Sequence, residues 1–163
     1  MHHHSRAWVR RRLRSLALLE LLNIPLQFVI WFRVLDLPAA VPNLLGFAVF
    51  SVLLVEGAAY WFAKLRQSPG GRLPGANAFV AARRANVVLL TAGLLVIGSF
   101  VVRDPGAANL LGLGFALFAV LEHVNYFHIQ LMYDSAEDLR SLFTRGLRRA
   151  HLARDLARAG QVS

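Results

Sequence analysis

Four stretches of the chain are apolar almost without interruption. They run from about Leu16 to Leu35, Leu44 to Ala63, Asn86 to Val102 and Leu110 to Met132. Each comes close to the roughly 20 residues that a helix needs to cross a hydrocarbon core about 30 Å thick. The breaks between them are Asp36-Leu37-Pro38 with Pro42-Asn43, then Pro69-Gly70-Gly71 with Pro74-Gly75, then Asp104-Pro105-Gly106. Proline and glycine stop helices at such points. A segment inside lipid must satisfy its own backbone hydrogen bonds, which selects helices. The pattern predicts an all-α integral membrane protein, a four-transmembrane-helix bundle over residues 1–134.

Residues 135–163 read differently. Leu139, Leu142, Phe143, Leu147 and Ala150 recur at helical spacing among arginines, with Ser135 and Asp138 placed as a cap. This predicts a basic amphipathic helix from Ser135 to Ala159, lying on an anionic lipid surface or against a partner protein. The basic start followed by an apolar run also resembles a signal peptide. The run is too long for one, so a retained first span is expected. His2, His3 and His4 suggest a tag or start-site remnant.

Charge gives the spans a direction. The chain has 18 Lys and Arg against 9 Asp and Glu. Arg6, Arg10, Arg11, Arg12 and Arg14 precede the first span. Lys64, Arg66, Arg72, Arg83 and Arg84 separate the second from the third. Arg140, Arg145, Arg148, Arg149, Arg154 and Arg158 follow the fourth. Only Arg33 and Arg103 fall in the other two connections. This alternation predicts a multi-pass protein of the cytoplasmic membrane with both termini and the middle loop in the cytosol. It also accounts for the basic charge without nucleic acid as a partner.

The remaining information lies in polar groups within the spans, where they are costly. At about 100° per residue, Glu20, Asn23, Gln27 and Trp31 fall within about 80° of one another. Glu56 and Tyr60 are one turn apart, with Ala59 and Ala63 placed to admit a neighbouring helix. Arg83 and Asn86 share a face, with Gly93 further along. On span four, Glu122, His123, Asn125, Tyr126, Gln130, Tyr133 and Asp134 occupy one half of the helix, with Gly112, Ala116 and Ala119 on the same side. His123 and His128 diverge by about 140° on a regular helix, which is unsuited to a shared metal. A metal site would have to pool Glu20, Glu56, Glu122 and His123 from different helices, and none is assigned.

Glu20, Glu56, Asn86 and the residues from Glu122 onward belong to the cytosolic halves of their spans. The expectation is therefore a polar pocket open to the cytosol beneath a dry outer plug, lined by Glu20, Asn23, Gln27, Glu56, Tyr60, Arg83, Asn86, Glu122, His123, Asn125, Tyr126, Gln130 and Tyr133. A through-pore would need polar lining over its whole depth. The absence of cysteine excludes thiolate chemistry and disulfides. There is no phosphate-binding glycine loop, no Gly-x-Ser-x-Gly elbow and no paired-aspartate motif.

Two functions fit. One is a non-enzymatic accessory or binding component. The other is a membrane enzyme acting on a lipid-like substrate, with Glu122 and His123 as a proton-handling pair and Arg83 and Arg84 as anchors for an anionic group. The cofactor is unknown. The partners expected are membrane lipids, including anionic headgroups, and a second copy or partner subunit.

Overall fold

The computed structural model describes residues 6–131 and 148–160. Among these residues the chain is all-helical, with no strand. The helices are α1 (Arg6–Val29), α2 (Val41–Arg66), α3 (Ala76–Arg103), α4 (Ala107–Phe127) and α5 (His151–Gly160). A π-helical turn, Ile30–Val34, continues α1. The first four helices are long and apolar enough to cross a membrane. They run alternately up and down, so one end of the bundle carries the arginine clusters and the other carries Asp36 and Asp104.

The helices differ in length from the apolar stretches. The first begins at Arg6, ten residues before Leu16, so the arginines from Arg6 to Arg14 are helical. The third starts at Ala76, immediately after Gly75, whose positive φ of 74° suits glycine. Helical propensity among Ala, Arg and Leu carries these helices past the apolar windows. The fourth ends at Phe127, because His128 (φ −130°, ψ −73°) leaves helical geometry. The helical angles expected for Gln130 therefore do not apply. Met132, Tyr133, Asp134, Ser135, Asp138, Leu139, Leu142, Phe143 and Leu147 lie outside the described residues, as do His2–His4.

The described part of the expected tail helix is not helical throughout. Residues 148–150 are extended and pair with 128–130. The Gln130 N–H donates to the Arg148 carbonyl at 2.9 Å, and the Ala150 N–H to that of His128 at 3.1 Å. In the described part of the tail, helix begins at His151. Leu152, Asp155 and Ala159, at helical spacing, are buried against the bundle.

The centre of the bundle is the pairing of α2 with α4, and α2 also packs on α1 and α3. The crossing is closest where Gly46 meets the backbone of Gly112, and Gly112 meets that of Pro42. Only glycines let two backbones approach so near. Asn43, fully buried, locks the same place. Its amide donates to the carbonyls of Pro38 at 2.7 Å and Ala107 at 3.1 Å, and its oxygen accepts from the Gly112 N–H at 2.7 Å. Next to it, Phe32, Phe47, Phe50 and Phe115 form an aromatic cluster.

The core at the arginine-rich end is built from Tyr60, Leu73, Phe79, Tyr126, Phe127, Leu152 and Ala159. Away from both cores, Leu19, Leu22, Val88 and Leu95 are 60–70% exposed, an apolar belt around the bundle.

Candidate functional site

The polar residues of α1 and α4 meet where Gly57 makes room for them. A side chain at position 57 would strike the Tyr126 hydroxyl, so glycine lets the phenol lie across α2. From there Tyr126 donates to Glu20 Oε1 at 2.5 Å, tying α4 to α1. The Trp61 indole also approaches the Glu20 carboxyl. Glu122, one turn before Tyr126, interacts with its hydroxyl, with Asn125 and with Glu20. Its Oε2 is buried without a hydrogen-bond partner. Two carboxyls thus share one phenol in largely apolar surroundings.

This cluster forms the wall of a chamber of about 230 Å³ at the arginine-rich end. Trp8, Arg12 and Glu20 come from α1, Tyr60 and Trp61 from α2, and Asn125 and Tyr126 from α4. Gln130, in the extended segment, and His151 and Leu152, at the start of α5, complete it. The Asn125 carbonyl oxygen accepts from the Leu131 N–H at 2.8 Å, which holds the turn after α4.

One turn further along α1 the stripe continues on a different surface. Gln27 donates to Asn23 at 3.2 Å, and the Trp31 indole donates to Gln27 at 2.7 Å. These three residues edge a groove of about 720 Å³ whose other walls are apolar, including Leu37, Phe50, Leu110, Phe115 and Phe118. The groove exists because α1 packs along α2 and not along α4. Gly114 lines it, and nothing lies within 4 Å of where its Cβ would be. The stripe therefore runs from the wall of the small chamber to the edge of a larger apolar groove.

The other expected pocket residues lie elsewhere. Glu56 turns toward α3, where the Asn86 amide donates to its Oε2 at 2.6 Å. Tyr60 borders the chamber, but its hydroxyl donates to Asp155 of α5 at 2.9 Å. Lys64 reaches the same carboxylate at 2.7 Å, so α5 is pinned to α2. Ala59, expected to admit a neighbour, is exposed; Gly57 and Ala58 are the buried small residues of that turn.

Glu122 and His123 do not form the expected pair. Glu122 faces Glu20 and Tyr126, whereas His123 lies near Arg83 and has its ring 5.0 Å from that of Phe127. Both nitrogens of His123 are buried without partners. The break in α4 also brings His128 back, so the two histidine rings lie 5.5 Å apart instead of diverging. Arg83 is exposed while Asn86 points inward, so these two do not share a site. Among the described residues no group of three His, Asp or Glu side chains could hold a metal.

Several participants carried no signal in the spans. Arg12, Trp8 and His151 belong to segments expected to lie at the surface. Asp155 is an acid within a basic tail, and only the fold shows that it is buried, at 6% exposure. Asn43 sat in an apparent loop break. A comparison with known protein families, curated proteins and solved structures finds no match to this chain.

Proposed function

We propose that this chain is an integral membrane protein that binds one amphiphilic molecule between α1 and α4. Four helices of 21 to 29 residues suffice to cross a core of about 30 Å. Their exposed leucines and valines suit contact with lipid. The distribution of arginine supports cytosolic termini, and with that orientation the chamber faces the cytosol. In this setting the buried face of α5 is used against the bundle, and Arg154 and Arg158 remain exposed toward the membrane surface.

The observation that carries the binding function is the continuous stripe Glu20, Asn23, Gln27 and Trp31. Glu20 offers a polar contact to a headgroup in the chamber, and Asn23, Gln27 and Trp31, further along the same helix, edge an apolar groove that suits a chain. Binding sites commonly combine mostly apolar walls with a few placed polar groups. The protein acts as a binding or accessory component, holding its ligand without transforming it.

The test is purification of the full chain in mild detergent followed by native mass spectrometry. The wild type is expected to retain one amphiphile that the double variant Glu20→Gln, Gln27→Leu releases. A chain that retains none under any mild extraction overturns the proposal. Orientation is checked with reporter fusions at Leu37 and Ser163; an external C-terminus would reverse it.

A second reading, an enzyme acting on a lipid-like substrate, draws on Glu122. A buried carboxyl oxygen without a partner, beside a phenol and another carboxyl, is a proton-transfer arrangement. If Glu122→Gln leaves the protein folded but removes a product from the membrane lipid profile, the enzyme reading replaces the binding one. An unchanged profile in both Glu122→Gln and His123→Ala leaves binding as the function.

A further inference from the structure

A third concavity lies on the other side of α4, away from Glu20 and Tyr126. It is a cleft of about 720 Å³ between α3, the end of α4 and α5. Arg83 and Arg84 enter it from α3, His128 from the turn after α4, and Arg149 from the extended segment. Arg149 is far from the others in sequence and arrives through the pairing of Ile129 with Arg149. No acidic side chain lines the cleft among the described residues. His123, buried with two unpartnered ring nitrogens, stands behind His128.

The cleft is not only basic. Val80, Arg83, Arg84 and Val87 fall within about 100° of one another on α3. Beyond the arginines that helix stays apolar and outward-facing: Val87 is 55% exposed, and Val88 and Leu95 are 70% exposed. Arg84 to Leu95 spans roughly 16 Å along the axis, about the length of an extended acyl chain. A nucleic acid or a soluble anion would have no use for this strip.

We propose that this cleft binds one anionic phospholipid, its phosphate held by Arg83, Arg84 and Arg149 and an acyl chain laid along Val87, Val88 and Leu95. Arginine guanidinium groups suit phosphate because they present paired donors in a planar fork. The lipid would also join α3 to the segment that begins α5, since its phosphate contacts both. The proposal rests on the membrane reading of α3, though not on the amphiphile between α1 and α4.

The experiment begins with alkaline carbonate extraction of membranes containing the full chain. Release into the supernatant would overturn the membrane reading itself, independently of any lipid site. Retained protein is then purified and titrated with phosphatidylglycerol or phosphatidylcholine of matched chains, with binding followed by native mass spectrometry. Phosphatidylglycerol is expected to bind in a one-to-one complex in preference to phosphatidylcholine. Each arginine removed should weaken it about fivefold. Arg149→Gln should show the single step, and Arg83→Gln with Arg84→Gln a larger loss than either change alone. The double variant Arg66→Gln, Arg72→Gln removes the same charge outside the cleft and should leave binding unchanged.

An equal loss in that control would show diffuse attraction and overturn the site. Equal affinity for phosphatidylcholine would overturn it too. If inorganic phosphate displaces the lipid completely, the cleft is a site for free phosphate and the lipid proposal fails.

Discussion

The α2–α4 pairing uses glycine at both of its ends, and the two uses are opposite. Near Asp36 and Asp104, Gly46 and Gly112 bring backbone against backbone, and Asn43 closes the remaining polar groups. Near the arginines, Gly57 brings backbone against a phenol, and the space becomes the wall of a chamber. The first contact is between parts that cannot move aside. The second is with the far end of a side chain that can. One end of the crossing is therefore a lock and the other a site, although the same residue type builds both.

Substitutions should separate these roles. The largest effect is expected from Gly112→Ala, whose methyl group would collide with the Pro42 carbonyl. Main chain cannot yield without moving a helix, so a loss of about 3 kcal/mol is expected, the upper part of the usual overpacking range. Asn43→Ala follows. It leaves the carbonyls of Pro38 and Ala107 and the Gly112 N–H without their side-chain partner, costing about 2 kcal/mol. Both are read as loss of thermal stability of the purified protein in detergent. If Gly112→Ala melts like the wild type, the lock is not a lock and the comparison breaks.

Gly57→Ala should cost less, about 1 kcal/mol, because Tyr126 can swing away. It should nevertheless separate the phenol from Glu20 and release the amphiphile. Tyr126→Phe sharpens the point. It removes one hydrogen bond at about 0.6 kcal/mol, typical of polar contacts between membrane helices, yet removes the α1–α4 tie at the chamber. Ligand retention by native mass spectrometry should fall in both variants. Retention unchanged in Tyr126→Phe would show that the phenol is only a strut.

How much of this was readable beforehand follows from the same physics. The four long helices were legible because their apolar lengths and their proline and glycine breaks are local signals. The stripe from Glu20 to Gln27 was legible because one α-helix carries it, and Trp31, in the π-helical turn that follows, still reaches Gln27. The helical angles of Gln130 and His128 do not hold because α4 stops at Phe127, after which the chain pairs with residues 148–150, far along the sequence. The grouping of Glu122 with His123 failed for a related reason. An angle within one helix gives no account of which neighbour lies opposite, and α1 and α3 flank α4 on different sides. Asp155 was unreadable since its partners, Tyr60 and Lys64, belong to another helix. Asn43 carries no sequence signal of its lock, because the proline next to it marks a helix start as readily as a loop.

The smallest expected change in stability belongs to Gly114→Leu, and it asks whether the groove is a site or a packing defect. Gly114 lies one turn from Phe118 and two residues from the lock at Gly112, but its Cβ position faces open space. Leucine is the better helix former by somewhat under 1 kcal/mol. The added side chain would also cover apolar groove wall from Leu111, Phe115 and Phe118. The melting temperature should stay level or rise slightly. Amphiphile retention should fall, because the new side chain occupies the space a ligand chain needs. Lost stability would mean that the helices normally close over this position. Unaltered retention would place the ligand chain outside the groove. A stable variant that no longer holds its amphiphile would instead show that the looseness between α1 and α4 serves binding, while the tightness between α2 and α4 serves the fold.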